Sequence, residues 1–444
     1  MGKMDLLAEI YQAQQASDQE VVMLRHRLQH PNHQAEVIVA EIKEYLANFH
    51  ANLLGKSVLD TNVKEQVLQL IKDYIIKKLL HAPGMTLEEL LDYARKEICG
   101  FGPLDPLIAD DSVSEIMINN YSEIYVERKG KIEQTDCVFN SEEQLTNVVR
   151  KILAPIGRSI DLSEPYVDAR LPGGSRVNAI ISPLALNGTT VTIRKFSTVD
   201  FDQDRLIEFE TCTREMTEFI GKIVRGKANI LVIGGTGSGK TSTMKFCTSL
   251  IPEEERLVTI EDIEELRLRK NEKQNHVISL EARKSKNNPV TIYDLLVNSL
   301  RMRPDRIIIG EVRGKEALEM LEAMNTGHEG SMSTLHANGP GEAIKRLTLM
   351  IMRNGLEVDP GLIIDLICDT VDIIIHQKRF PEDGSRKIVQ ITEVLGSING
   401  QPQLNDIFRF RPTGCQGNKV VGGFERISTI SQKLAEKFNM FARE

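Results

Sequence analysis

Residues 234–241 read Gly-Gly-Thr-Gly-Ser-Gly-Lys-Thr, the pattern G-x-x-x-x-G-K-[ST], and this is the stretch whose residue types and spacing do chemistry most directly. Gly234, Gly235, Gly237 and Gly239, with the small Thr236 and Ser238 between them, let the backbone fold so that successive N–H groups face phosphate oxygens. Lys240 would reach the β and γ phosphates, the Thr241 hydroxyl would ligate magnesium, and Ser242 would lead on into a helix. Chance gives such a match about one or two times in a hundred chains of this length. The flanks discriminate further: an apolar run from Ala228 to Ile233 precedes the loop and a helix-compatible segment to Leu250 follows it. Nucleotide binding is therefore the expectation, ahead of a plain glycine turn.

Hydrolysis asks for more: a second acid facing the metal and a group that positions water. Two further apolar runs, Leu257 to Ile260 and Arg306 to Ile309, each end in acids. The first is followed by Glu261, Asp262, Glu264 and Glu265, the second by Gly310 and Glu311. A magnesium-facing strand usually ends in Asp, a place that Gly310 takes here, with Glu311 next. Glu264 reads as a solvated loop charge. Downstream, His328 and His336 stand eight residues apart with small hydroxyl residues between them. No third Cys or His ligand is near, so zinc is disfavoured. The remaining readings are a γ-phosphate sensor or hydrogen-bonded core histidines.

These groups need rigid elements behind them. The runs at 228–233, 257–260 and 306–309 have the continuous apolar character of parallel strands covered on both faces, and their spacing leaves room for crossover helices. The fold class expected is α/β, with a doubly wound, mainly parallel sheet whose strand ends carry the site. Before it lies a smaller α/β region. Strands are expected at 115–119, 123–128, 166–171, 175–181 and 189–196, with a helix at 142–153. Earlier still, Val63, Val67, Leu70, Ile71, Tyr74 and Ile75 have helical spacing, stopped by Pro83-Gly84, and Thr86 to Glu89 forms a capping box for a second helix.

Composition sets the outer bounds. The chain has 444 residues, too many for one ordinary domain, and 55 Lys+Arg against 63 Asp+Glu give a net charge of −8, which excludes a wholly basic nucleic-acid coat. Trp is absent and aromatics make up 5%, so no stacking strip for single strands stands out and direct nucleic-acid binding is not expected. The six cysteines form no C-x-x-C pair, and Asp5 and Glu9 interrupt any apolar leader. The longest uncharged stretch, 177–193, contains Asn178, Pro183, Asn187 and Gly188 and cannot serve as a membrane span. The expected location is cytoplasmic, with any membrane attachment made through partners.

Taken together, four signatures resemble those of the secretion ATPase superfamily that powers type II secretion, type IV pili, type IV secretion and archaeal flagella. They are the glycine loop, the acidic box Thr259-Ile-Glu-Asp262, the strand Pro304 to Gly314 with Glu311, and the histidine box through His336-Ala-Asn338. Within it the chain looks like the tight-adherence (type IVc, Tad) pilus branch, the CpaF-like assembly ATPases. The segments that carry this include Gly102-Pro-Leu-Asp-Pro-Leu107, Ser114 to Asn119, Arg170 to Asn178, Thr192 to Phe196 and Leu404 to Arg409.

The resemblance covers roughly residues 60–440 and implies a two-domain ATPase subunit, with a RecA-like P-loop ATPase domain at 213–444 and a smaller α/β domain at 61–199; the polar stretch at 200–212 reads as the linker, and residues 1–60, largely outside the resemblance, read as a helical extension. It further implies ATP and Mg2+ as cofactors, a homo-hexamer, and a polytopic inner-membrane platform protein as partner. Carried over, Lys240 binds phosphate, Thr241 and Glu311 bind metal, and His336 belongs to the histidine box. Either Glu265, which fits the family's E-D-x-x-E spacing, or Glu261 activates water. Arginines of the smaller domain reach phosphate in this superfamily, so at least one of Arg170, Arg176 and Arg194 is expected to do so; for any single one, surface pairing with Asp161, Glu164 or Asp168 is an equal alternative. Arg301 and Arg303, just before the strand at 306–309, are the alternative, acting across a subunit boundary.

Overall fold

In the computed structural model, residues 33–50, 53, 61–128, 130–171, 174–195, 202–268, 276–283, 288–355, 358–417 and 419–441 are described. Apart from residues 129–131, they divide into a compact unit that ends at Lys195 and a second that follows it.

Among the described residues the first unit opens with three helices, α1 (His33–Phe49), α2 (Thr61–Lys78) and α3 (Leu87–Cys99). Each buries a stripe at helical spacing: Ile38, Ile42 and Leu46; Val67, Ile71 and Ile75; Leu90, Ala94 and Ile98. The Thr86 capping box is formed, with the hydroxyl accepting from the Glu89 amide and the Glu89 carboxylate accepting from the Thr86 amide. The extension expected at 1–60 falls largely outside the described residues. A one-turn helix α4 (Asp105–Ala109) leads into a six-stranded sheet, β1 (Val113–Asn120), β2 (Glu123–Arg128), β3 (Lys131–Gln134), β4 (Tyr166–Arg170), β5 (Arg176–Ile180) and β6 (Thr190–Arg194). Its order is β3-β2-β1-β6-β5-β4. Helix α5 (Glu142–Leu153) packs Leu145, Val149 and Ile152 into the core with Ile116, Ile118, Val177, Val191 and Ile193 of the sheet.

The second unit begins with short α6 (Gln203–Glu208) and amphipathic α7 (Arg214–Arg225), then alternates strands and helices. These are β7 (Ile230–Ile233), α8 (Lys240–Ser249), β8 (Leu257–Glu261), β9 (Val277–Glu281), α9 (Ile292–Ser299), β10 (Arg306–Ile309), α10 (Glu316–Asn325), β11 (Met332–Leu335), α11 (Pro340–Met352), α12 (Pro360–Thr370) and β12 (Ile373–Arg379). Then come β13 (Arg386–Ile398), β14 (Gln401–Gln416), β15 (Lys419–Arg426) and α13 (Gln432–Phe441). The nine-stranded sheet runs β15-β14-β13-β12-β7-β11-β10-β8-β9. Successive residues of β7 go to different cores, Ile230 and Val232 to one and Leu231 and Ile233 to the other, so both faces are covered. This is why the run at 228–233 lacks alternation.

The α/β class expected from the sequence is what the structure has; the parallel sheet expected makes up one part of the nine-stranded sheet. Pairing is parallel from β12 through β7, β11, β10 and β8 to β9. It is antiparallel from β12 through β13 and β14 to β15, and in every described pairing of the first unit's sheet. The hairpin between β13 and β14 turns on Asn399 and Gly400, both at positive φ (52° and 70°), the Asn-Gly signature of a two-residue turn. That dipeptide marks the antiparallel extension.

Candidate nucleotide site

Parallel strands place their C-terminal ends along one edge of the sheet, and four of the sequence-predicted groups sit there. Strand β7 leads into the glycine loop and β8 ends at Glu261; Gly310 and Glu311 follow β10, and His336 follows β11. Register fixes the neighbours: Ile309 pairs with Ile260 on one side and Ser333 on the other, and Leu335 pairs with Ile233.

The loop needs its glycines for distinct reasons. Gly234 has φ 156°, and a Cβ there would lie 2.1 Å from the Gln377 carbonyl oxygen; Gly239, at φ 99°, faces the Gln377 amide, with 2.8 Å to a built Cβ. The peptide can pass this close to β12 only without side chains. Lys240 opens α8, is 9% exposed, and donates from Nζ to the carbonyls of Gly234 (3.1 Å) and Gly235 (2.9 Å). Its Nζ also lies 3.5 Å from His336 Nδ1. Burial, then the Lys240 charge, lowers the His336 pKa, so the imidazole is held neutral. Ser238 donates back to the Gly235 carbonyl and closes the turn (2.9 Å). Thr236 is exposed and Ser242, inside the first turn of α8, is half-buried.

The Thr241 hydroxyl donates to Glu265 Oε2 at 3.0 Å. Glu261 is 4% exposed, and its Oε1 accepts from the backbone amides of Glu265 (3.0 Å) and Leu266 (3.2 Å). Burial pushes its pKa up to about 7 against the pull of those two amides. Glu264 is half-exposed; its amide donates to Glu281. Gly310 stands where a Cβ would meet Glu261 Cγ at 2.9 Å, which gives a steric reason for glycine at the end of this strand. Glu311 accepts from Arg313 at 2.6 Å through Oε2. Its Oε1 is buried with no hydrogen-bond partner, although His336 Nε2 lies 3.0 Å away. An orphaned buried carboxylate oxygen together with the Thr241 hydroxyl is a donor set that suits a hard cation such as Mg2+.

His328 and His336 lie beyond opposite ends of four-residue β11, so they do not form a metal pair, and no cluster of three His, Cys, Asp or Glu side chains suited to a metal occurs among the described residues. The arginines of the first unit form an arrangement of their own. Arg170 pairs in register with Arg176, and Arg176 with Arg194, so three guanidinium-bearing positions stand side by side across β4, β5 and β6, with Glu115 next in the row. Like charges on adjacent strands are destabilising unless something negative offsets them. Arg301 and Arg303 are exposed beside β10, Arg303 at a positive φ of 54°.

Three residues that back the loop lie outside the sequence motifs. The Gln377 side chain, 2% exposed, accepts from the Thr243 hydroxyl of α8 (2.7 Å). Arg386 donates from Nε to the Gly237 carbonyl (2.8 Å), and Arg379 Nη1 stands 3.4 Å from a Cβ built on Gly237. Next to Arg386, buried Lys387 donates to the Glu210 carbonyl (3.2 Å) and carboxylate (3.4 Å), while Lys419 holds the other Glu210 oxygen (2.7 Å). A polar residue at an inward position after Ile373-Ile374-Ile375 was the one available signal, and it points only to Gln377.

Among the described residues no helix is long and apolar enough to cross a membrane. Residues 97–437 match the family described as Type II/IV secretion system protein. An uncharacterized protein of Methanocaldococcus jannaschii is 36% identical over 301 residues, 65% of this chain but 41% of that protein, so the chain spans less than half of that relative. The type IV secretion system protein VirB11 of Brucella suis is 32% identical over 329 residues, covering 68% of this chain and 91% of the relative. The crystal structure of the Brucella suis VirB11 ATPase in complex with sulphate covers 67% of this chain and 96% of its own at 28% identity, with a TM-score of 0.37. With the family match spanning most of its length, and the loop, acids and histidine where such a site needs them, the chain belongs to the type II/IV secretion ATPase superfamily.

Proposed function

We propose that this chain hydrolyses ATP as one subunit of a hexameric motor that drives assembly of a tight-adherence pilus from the cytoplasmic face of the inner membrane. In this reading a polytopic platform protein supplies its membrane address. The observation that carries the chemistry is the convergence of Lys240, Thr241, Glu265, Glu311 and His336 at neighbouring strand ends. Lys240 exchanges its two carbonyl contacts for phosphate oxygens. Glu265, a carboxylate at the Thr241 hydroxyl, orients the attacking water, and neutral His336 donates toward the γ phosphate. Magnesium, held by Thr241 and Glu311, would supply charge neutralisation at the phosphate oxygens. The row of Arg170, Arg176 and Arg194 provides the guanidinium that reaches phosphate during turnover, a role suited to a fixed, bidentate cation.

The tight-adherence assignment is supported by the segments at 102–107, 170–178 and 404–409. Likeness to the Brucella type IV secretion protein supports a second reading in which the load is protein or DNA. Lys240→Ala tests the shared chemistry: ATP turnover is expected to fall by at least about a hundredfold, as for loss of a main transition-state contact, with the circular dichroism spectrum retained. Wild-type turnover in that variant would refute the site. The load is tested in cells: pili lost with the Lys240→Ala allele support the pilus reading, and intact pili with lost conjugal or effector transfer support the other.

A further inference from the structure

Two glutamates of the acidic box do different things in the structure, and the difference is geometric. The Glu265 carboxylate meets the Thr241 hydroxyl of the glycine loop. The Glu261 carboxylate is turned into the fold, 4% exposed, and is occupied by the backbone amides of Glu265 and Leu266. The space it fills is left by Gly310, where any side chain would press on Glu261 Cγ at 2.9 Å, and the Gly310 backbone is pinned on both sides. Its amide donates to the Ile260 carbonyl (2.8 Å) and its carbonyl accepts from the Thr334 hydroxyl (2.6 Å).

We propose that Glu261 is a positioning residue: seated against Gly310, it gathers the amides of the 265–266 turn and so aims the Glu265 carboxylate at the glycine loop. This rests on the reading of the site as one for nucleotide hydrolysis. The requirement on Glu261 is a hydrogen-bond acceptor of the right length, not a negative charge or an exchangeable proton. Glutamine meets that requirement, since its carbonyl oxygen accepts two N–H bonds from the same place. Alanine does not. Gly310 and Glu261 are then one device, and removing the carboxylate removes the reason for the glycine.

The test is a set of ATPase measurements on the full chain with Mg2+, reading kcat and KM separately. Glu261→Ala is expected to lower kcat about thirtyfold with KM within about threefold, since a misaimed group costs rate more than binding. Glu261→Gln, which keeps the acceptor, is expected to bring kcat back to within about fivefold of wild type, while Glu265→Gln falls by about a hundredfold or more. Gly310→Ala alone should resemble Glu261→Ala. In the Glu261→Ala background it should cost less than about twofold more, the non-additivity expected of two residues that share one contact. Glu261→Gln as inactive as Glu265→Gln would overturn the proposal, because Glu261 would then act by its charge or proton; fully additive losses at 261 and 310 would overturn it too. If Lys240→Ala keeps wild-type turnover, the underlying site reading fails instead, so the two failures are distinguishable.

Discussion

Strand β10 carries a charged residue at each end, and the two are treated in opposite ways. Arg306, at its start, is fully buried; its guanidinium donates to both Glu255 oxygens at 2.7 Å and to the Val224 carbonyl at 2.7 Å. Glu311, just past its end, keeps one oxygen buried with no hydrogen-bond partner. Three apolar residues, Ile307, Ile308 and Ile309, stand between a saturated cation and a carboxylate with one unbonded oxygen. Buried polar groups are normally paired. The paired end therefore reads as architecture and the orphaned end as a place prepared for a ligand.

Mutation can break this contrast. Arg306→Ala leaves the Glu255 carboxylate without its guanidinium in a mostly buried setting, and the expected loss is roughly 3–5 kcal/mol, read as a lower urea midpoint. Replacing both partners by apolar residues should recover much of that loss. A smaller stability effect comes from pH, through Glu261. Below its ordinary value of 4.5 the carboxyl is protonated whether folded or not. Between there and about 7 the folded chain retains a proton that the unfolded chain has released, so stability falls as pH rises, by up to roughly 3 kcal/mol. Urea midpoints from pH 4.5 to 8 check this, and Glu261→Gln should flatten the slope. Glu311→Gln should have the smallest effect on stability, within about 1 kcal/mol of wild type, since no hydrogen bond is lost at Oε1 and the ion pair lost at Oε2 is with the exposed Arg313. ATP turnover should nevertheless collapse. A large stability loss at Glu311 would mean that both ends of β10 are structural.

Where one residue type, spacing and period acted together, the sequence was enough to read. Lys240 and Thr241 follow a buried strand and open a helix as the motif requires, and Glu311 and His336 come to adjacent strand ends because parallel pairing aligns β10 and β11. The acidic box could not be resolved in advance, because E-D-x-x-E spacing carries no information about which carboxylate turns inward. That depends on Gly310, some fifty residues away in sequence and beside it in the sheet. Similarly, Gln377 and Arg386 support the glycine loop from strands whose pairing is long-range; the isoleucine run before Gln377 gives it a weak local signal, and Arg386 has none. The Asn399-Gly400 dipeptide is a local turn signal that went unread, and its consequence, three antiparallel strands added to a parallel sheet, depends on where β12 sits.

Strand β13 begins with two cations that face opposite ways. Arg386 grips the Gly237 carbonyl of the glycine loop, while Lys387, one peptide later, grips Glu210 in the segment that leads back toward the first unit; the Ile388 amide adds a bond to the Thr211 carbonyl at 2.8 Å. A pleated backbone carries neighbouring side chains as a single piece. The hold on the Gly237 carbonyl and the hold on Glu210 thus sit on adjacent residues of one strand, joined by a single peptide bond.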